Sequence, residues 1–346
     1  MKQINKITLL TLLLPFYCIS QIPEYYSTIN FDLTGDDLKE ELTTLITTTH
    51  TNELVYTPDV WNTLKQGDLD PENNENVLLI YGYEDNDSDP DNDRTRDKDL
   101  SCHTTSCAGK WVREHVYPRS LGNPNLGYEQ AGSDAHSLRA VDYNMNGSRS
   151  NRRFANGSGN ATTLSGWLFY PGDEWKGDIA RMMMYMYVRY QSQCLATTVG
   201  SGNTTYSNDM PDIFLEWNAE DPVSTYEVNR NNVINNMQGN RNPFIDNPYL
   251  ATIIWNGPSA DNTWLLNNDN FTKNDIAVYP TITTGIVYID NINNQNYTHT
   301  IYNMMGQKVN STVTDNQIEI TDRTRGIYIL NITIGNTTKS FRIMLK

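Results

Sequence analysis

The sequence predicts an α+β protein in which a mainly helical domain is followed by a small antiparallel β-sandwich. Residues 177–191 place isoleucine, methionine and tyrosine side chains at helical spacing. Residues 326–334 instead place Tyr328, Leu330, Ile332 and Ile334 on one face with a period of two, as strands do. Residues 256–275 between them are rich in Asn and Asp without sustained periodicity, so we expect the domain boundary there.

The N-terminus has the three-part plan of a secretory signal peptide, which we predict over residues 1–20. Lysines precede an apolar run from Ile7 to Phe16, and the small residue Ser20 follows. This run is too short for a stable membrane-spanning helix. Cys18 follows two aromatic residues rather than a small one, so a lipid anchor is the weaker alternative. We expect an exported protein, secreted or attached to the cell surface, without a membrane span.

The 346 residues are enough for more than one folded unit. After the signal peptide we predict a first domain at 21–256, a linker at 257–276 and the sandwich at 277–346. Within the first domain, Asp36-Asp37 opens a clear helix, because acidic side chains stabilise a helix N-terminus.

A second helix is expected at 226–237, and a polar turn at 238–246 follows it. Turns of this kind usually order the neighbouring backbone through side-chain hydrogen bonds. The acidic segment 84–99 lacks the glycine and the closing glutamate of an EF-hand, so a solvated loop is favoured over a calcium site.

Three cysteines remain once the signal peptide is removed, an odd number for an oxidising compartment. Cys102 and Cys107 are close enough in sequence to close a small loop, which would leave Cys194 unpaired. Other pairings stay open at this point.

The formal net charge of −15 argues against a protein that coats nucleic acid by bulk electrostatics. Charge is nevertheless distributed unevenly. Residues 110–153 contain seven basic side chains against four acidic ones, so this segment is a basic island in an acidic chain.

The basic segment also contains the residues that phosphodiester hydrolysis requires. The reaction needs an activated water, neutralisation of charge on the phosphoryl oxygens and a stabilised leaving oxygen. His115 can take a proton from water near neutral pH. Glu114 and Asn146 offer the oxygen ligands that Mg²⁺ or another divalent cation prefers. Because adjacent strand residues point to opposite faces, Glu114 and His115 can act together only at a strand edge or an irregular backbone.

Phosphate binding is predicted for Arg119 and Arg149, whose guanidinium groups can fork onto phosphate oxygens. Arg139 and Arg152 are the alternatives for either position.

Four motifs together resemble the secreted endonuclease I family of the His-Me finger (ββα-metal) nucleases. They are residues 111–120 (WVREHVYPRS), 134–139 (DAHSLR), 141–151 (which includes NGSRSN) and 238–244 (QGNRNPF). The resemblance extends over roughly residues 24–255 and implies a ββα-metal finger at the centre of the first domain. It also implies sequence-nonspecific cleavage of DNA, often of RNA too, with one divalent ion, usually Mg²⁺.

By position in this family, His115 matches the general base, Glu114 the metal-binding carboxylate and Asn146 the metal-binding amide. His136 matches a family histidine that we interpret as structural, or as a support for a ligand rather than a ligand itself. Where some members carry an acidic residue before the second motif, this chain has Gly132-Ser133.

The C-terminal residues resemble a sorting domain of the type IX secretion pathway. The resemblance rests on Val278-Tyr279-Pro280-Thr281, on the turn at 303–308, on 325–330 and on the final Lys346. It implies a partner in the secretion machinery and removal of the tail after export. A small carbohydrate-binding or adhesive sandwich is the alternative.

The leading hypothesis is therefore a secreted, divalent-metal-dependent, sequence-nonspecific endonuclease that acts on DNA, and possibly RNA, as a monomer. The alternative is a secreted binding or adhesion protein that retains an inactive nuclease fold. Cleavage of circular DNA that is abolished by a chelator would distinguish the two.

Overall fold

The computed structural model describes residues 22–104, 106–264, 277–290, 297–314, 317–320, 324–334 and 337–346. The chain divides into two compact units, Met1–Leu266 and Asn267–Lys346. The predicted signal peptide lies outside the described residues, as do residues 265–276 of the predicted linker. In the remainder of that linker, Trp264 is buried, with its ring centroid 4.5 Å from that of Tyr26. This part of the predicted linker therefore packs within the first unit. The predicted domain limits remain a prediction.

The first unit is mainly helical. Its α-helices are α1 (Gly35–Thr48), α2 (Asp59–Gly67), α3 (Tyr143–Arg149), α4 (Lys176–Tyr190), α5 (Ala196–Val199), α6 (Asp212–Glu220), α7 (Thr225–Gln238), α8 (Pro243–Asp246) and α9 (Tyr249–Trp255). The predicted helices at 177–191 and 226–237 correspond to α4 and α7.

Helix α4 is the centre of the main hydrophobic core and packs against α6 and α1. The sequence predicts one apolar face, with charged residues away from it. The structure instead buries Asp178 and Arg181 as well. Arg181 donates two hydrogen bonds of 2.7 and 2.8 Å to Glu227 of α7, and Asp178 accepts one of 2.9 Å from Arg139. These charges are tolerated in the core because each has a bonded partner.

Helix α7 begins with a capping box between Ser224 and Glu227 and ends at Gly239. Gly239 has a φ of +93°, and a Cβ there would lie 2.5 Å from the carbonyl oxygen of Thr49. Only glycine fits this combination of left-handed backbone and close approach.

The short strands of the first unit are β1 (Asn76–Leu78), β2 (Thr95–Asp97), β3 (Trp111–His115), β4 (Leu138–Asp142), β5 (Arg153–Phe154), β6 (Thr162–Leu164) and β7 (Leu168–Tyr170). Strands β3 and β4 are antiparallel, with Glu114 opposite Arg139 and His115 opposite Leu138. Helix α3 follows β4 without an intervening loop. The result is a strand–strand–helix arrangement whose strand pair packs against α2 through Trp111, Leu138 and Ala140.

Residues 85–90 of the acidic segment 84–99 are exposed, as predicted for a solvated loop, whereas Asn92 and Arg96 are buried. The segment also contains local order. Asp85 accepts hydrogen bonds from the backbone N–H groups of Arg94 and Thr95, at 2.7 and 2.9 Å, and β2 occupies its end.

The second unit consists of two sheets. Its strands are β8 (Ala277–Tyr279), β9 (Ile282–Thr283), β10 (Ile286–Asp290), β11 (Thr298–Asn303), β12 (Lys308–Val309), β13 (Ser311–Thr314), β14 (Gln317–Ile320), β15 (Gly326–Ile334) and β16 (Thr337–Leu345). One sheet has the order β13-β14-β10-β8 and the other β12-β11-β15-β16-β9.

The two sheets of the second unit share one hydrophobic core. Tyr328, Leu330 and Ile332 of β15 and Ile343 and Leu345 of β16 are buried in it, as the period-two pattern predicts. One pair departs from the predicted antiparallel pattern, because β9 runs parallel to β16.

Candidate active site

A cleft of about 610 Å³ opens where β3 ends and α3 passes beside it. Its lining combines charged, amide and aromatic side chains from four parts of the chain. The lining residues are Tyr56, Arg113, Glu114, His115, Pro118, Arg119, Ser120, Asn125, Tyr128, Asn146, Ser150 and Asn151. Glu114 and His115 therefore line the same cleft although they are adjacent, since the cleft lies at the strand's end.

Glu114 is a buried carboxylate, only 3 % exposed. Its Oε1 accepts a 3.1 Å hydrogen bond from the Tyr81 hydroxyl and lies 3.4 Å from Nη1 of Arg149. Burial raises the pKa of Glu114 to about 7, although Arg149 and the Tyr81 hydroxyl act in the opposite direction. A cation placed beside Glu114 would stabilise the ionised form of this buried carboxyl group.

His115 is held by its Nε2 atom, which lies 2.8 Å from the carbonyl oxygen of Gly132. A carbonyl can only accept, so Nε2 donates and the neutral ring keeps its acceptor lone pair on Nδ1. The pKa of His115 is lowered to about 4, chiefly by desolvation and also by nearby arginines, although the hydrogen bond to the Gly132 carbonyl acts in the opposite direction. The ring stacks on Tyr56, with centroids 5.5 Å apart. The imidazole is thus neutral and fixed in one tautomer with its lone pair on Nδ1, and its lowered pKa makes it a weaker base than the sequence alone predicts.

Asn146 lies one turn into α3, and the start of this helix is well fixed. Asp142 caps it by accepting hydrogen bonds from the backbone of Asn144 and Met145 at 2.6 and 2.9 Å. The other oxygen of Asp142 accepts a 2.6 Å bond from Arg96. The Asn146 side chain lines the cleft and makes no hydrogen bond within the part of the chain that the structure describes. Its amide oxygen is therefore available to a ligand.

Two arginines line the cleft without a carboxylate partner among the described residues. The guanidinium carbon of Arg119 lies 4.0 Å from the ring centroid of Tyr128. That of Arg113 lies 3.4 Å from the ring centroid of Tyr56 and 4.3 Å from that of Trp61. Aromatic contacts orient these cations without neutralising them, so both are suited to bind phosphate oxygens.

Arg149, unlike Arg119, is not among the residues that line the cleft. It is completely buried, donates to the carbonyl oxygens of Val116 and Ser150 at 2.6 and 3.0 Å, and lies beside Glu114. This placement favours support of Glu114 over contact with phosphate. Arg139, one of the two alternatives, is also buried and bonded to Asp178.

His136 is buried outside the cleft lining. Its Nε2 lies 3.3 Å from the carbonyl oxygen of Asn240, and its ring packs against Tyr185. The backbone of the same motif is tied to Gln238, which accepts a 2.6 Å bond from the N–H of Ala135. Hydrogen bonds thus join the second motif to the fourth, and His136 takes part in this contact.

The structure joins Cys102 and Cys107 in a disulfide, with their Cα atoms 5.6 Å apart, and leaves Cys194 as a buried free thiol. The disulfide closes the loop directly before β3.

Sequence reasoning did not single out Tyr56, Tyr128 or Gly132 as site residues. Tyr56 is far from the motifs in sequence, and an isolated tyrosine or glycine carries no local signal. Position 132 has no room for a side chain, because a Cβ there would lie 2.3 Å from the carbonyl oxygen of Gly127.

Gly132→Ala is expected to lower kcat by roughly 10- to 100-fold, because the displaced carbonyl no longer orients His115. The measurement is kcat on a defined nucleic acid substrate. Gly147→Ala in α3 is the matched control, since a Cβ at Gly147 meets nothing within 4 Å. Equal kcat values for the two variants would contradict the role given to the Gly132 carbonyl.

The side chains that line the cleft limit which metal ion it could hold. Among the described residues, no three His, Cys, Asp or Glu side chains form a group that could hold an ion. The cleft instead offers one buried carboxylate, Glu114, and one unpartnered amide, Asn146. Such a sparse oxygen set suits a hard cation that keeps several waters, such as Mg²⁺, and does not suit a closed structural site.

Comparisons with known proteins identify relatives of both units. Residues 34–249 match the family model described as Endonuclease I, and residues 277–346 match the Secretion system C-terminal sorting domain. The chain is 37% identical over 235 residues to the extracellular ribonuclease of Bacillus subtilis (strain 168), covering 64% of this chain and 75% of the relative. It is 28% identical over 156 residues to Endonuclease-1 of Buchnera aphidicola subsp. Baizongia pistaciae (strain Bp), covering 41% of this chain and 56% of the relative.

The fold, the cleft and these relatives define a nuclease, an enzyme secreted from the cell or held at its surface. The chain belongs to the Endonuclease I family and carries a C-terminal sorting domain. Both resemblances seen in the sequence are confirmed. Within the described ranges, no helix has the length and apolar character needed to cross a membrane.

Proposed function

We propose that this nuclease is a divalent-metal-dependent, sequence-nonspecific endonuclease that hydrolyses phosphodiester bonds of DNA and also accepts RNA. One observation carries the proposal. A buried carboxylate, an unpartnered amide and an imidazole of fixed tautomer line a single cleft. These are the groups that metal-assisted hydrolysis of a phosphodiester requires.

In this proposal His115 is the general base. Its Nε2–H is committed to the Gly132 carbonyl, so Nδ1 is the atom that takes a proton from the attacking water. Tyr56, stacked on the ring, keeps the imidazole in place.

Glu114 and Asn146 would hold the cation, for which we propose Mg²⁺. When bound, a divalent cation supplies neutralisation of the charge that grows on the phosphoryl and leaving oxygens. Arg149 and Tyr81 fix the Glu114 carboxylate from behind, and the Asp142 cap fixes the helix that presents Asn146. We further propose that β3, β4 and α3 form the ββα-metal finger.

Arg119 and Arg113 are proposed to bind the phosphate groups, in place of the buried Arg149. Contacts to phosphate position the chain of a nucleic acid without reading its bases, which agrees with cleavage at any sequence. The acidic remainder of the protein confines binding to this cleft.

The proposed order along the chain is a signal peptide at 1–20, the nuclease domain at 21–256, a linker at 257–276 and the sorting domain at 277–346. In this scheme the enzyme acts as a monomer, and the secretion machinery recognises the sorting domain.

The direct test is incubation of the purified full-length chain with circular DNA and, in parallel, with single-stranded RNA. We expect nicked and then linear DNA, and shortened RNA, with activity lost in chelator and restored by added Mg²⁺. Intact substrates across a range of divalent cations, or cleavage indifferent to chelator, would refute the proposal. A His115→Ala preparation controls for contaminating nucleases.

A further inference from the structure

Trp167 is a large aromatic residue that stands at the surface beside the cleft, 56 % exposed. It ends the turn at residues 165–167 between β6 and β7, and its φ of +63° is uncommon for a bulky side chain. Tryptophan side chains are highly buried on average. Trp167 instead adopts a costly backbone conformation and keeps more than half of its surface in solvent.

The Trp167 ring is tied to the cleft lining through hydrogen bonds. Its Nε1 donates to Oδ1 of Asn151 at 2.8 Å, and Nδ2 of Asn151 donates to Oγ of Ser120 at 3.2 Å. Asn151 and Ser120 both line the cleft. The indole is therefore held in a defined orientation one side chain away from the site of hydrolysis.

Arg152 provides a positive charge at the same place. Its guanidinium carbon lies 4.1 Å from the Trp167 ring centroid, and Nη1 donates to the carbonyl oxygen of Ser148 at 2.5 Å. Within the described part of the chain it has no carboxylate partner. The same combination occurs at the cleft itself, where Arg119 lies over the exposed ring of Tyr128.

We propose that Trp167 and Arg152 form a nucleotide subsite that extends the cleft, in which an unpaired base stacks on the indole and the adjoining phosphate binds Arg152. This inference rests on the proposed function and names its preferred substrate class, single-stranded nucleic acid. Base faces are free to stack on a protein ring only in a single strand, because in a duplex they are already stacked on one another. Stacking tolerates every base, so the subsite adds affinity without adding sequence specificity.

The test measures binding of a fluorescent single-stranded oligonucleotide and of the duplex of the same sequence, in the full-length chain carrying His115→Ala to prevent cleavage. Adding Trp167→Ala is expected to weaken single-strand binding roughly 5- to 100-fold, the range for loss of one stacked base. Duplex binding is expected to change less than about twofold, because paired bases do not use the ring. Trp167→Phe should retain most of the affinity, and Tyr206→Ala removes another exposed aromatic, 40 % exposed and outside the cleft lining, as the control.

Unchanged single-strand affinity in Trp167→Ala would overturn the subsite, and so would an equal loss for single strand and duplex. If the chain with Trp167 intact binds neither strand form, the proposed function fails, and the subsite with it. Circular dichroism of each variant verifies that the fold is retained.

Discussion

His115→Ala is expected to lower kcat by roughly 10²- to 10⁴-fold, the usual contribution of a positioned general base. The side chain is half-buried and, among the described residues, hydrogen-bonds to the Gly132 carbonyl alone, so its removal deletes the proton acceptor while the strand that carries it keeps its pairing with β4. KM should change little, since the proposed phosphate contacts come from Arg119 and Arg113. The measurement is steady-state hydrolysis of a defined oligonucleotide at saturating Mg²⁺.

The matched control for this substitution is His299→Ala, a half-buried histidine of the second unit whose Nε2 lies 2.7 Å from Ser311. Wild-type kcat in that variant would show that loss of activity is specific to His115. A His115→Ala enzyme that digests substrate at the wild-type rate would contradict the base assignment.

Glu114→Gln is expected to cause the second large loss of activity, because it weakens binding of the metal ion. Changing even the groups behind a metal ligand typically costs roughly 10- to 100-fold in affinity, so replacing the ligand itself should cost at least that much. The amide still accepts from Tyr81, and Arg149 keeps the Val116 and Ser150 carbonyls, so the fold should persist. The measurement is the Mg²⁺ concentration that supports half-maximal activity, together with a thermal melt.

Glu174→Gln is the control, because Glu174 is a surface carboxylate paired with Arg94 away from the cleft lining. Glu114→Asp keeps the charge and is expected to recover part of the activity. An unchanged Mg²⁺ requirement in Glu114→Gln would exclude this residue as a ligand.

Local patterns in the sequence predicted the features that depend on local physics. The helical spacing of α4, the alternation of β15 and β16 and the loop between Cys102 and Cys107 each arise from residues close together in the chain. The chemistry of Glu114, His115 and Asn146 could also be proposed from residue types and motif order.

Features that depend on tertiary contacts could not be predicted in this way. Asp178 and Arg181 fall outside the apolar stripe that the sequence predicts for α4, yet both are buried with bonded partners from β4 and α7. Arg149 reads as a phosphate ligand, yet it is buried beside Glu114. Tyr56 reaches the cleft from more than fifty residues away in sequence, and no pattern near it indicates this contact.

The central claim is that one residue of the adjacent pair holds the cation and the other activates water. The most direct test is Mn²⁺ binding, followed by electron paramagnetic resonance without nucleic acid, in the wild type, His115→Ala and Glu114→Gln. The account predicts that inactive His115→Ala binds Mn²⁺ as the wild type does and that Glu114→Gln binds at least about tenfold more weakly. Equal loss of Mn²⁺ binding in both variants, or wild-type binding in Glu114→Gln, would contradict it.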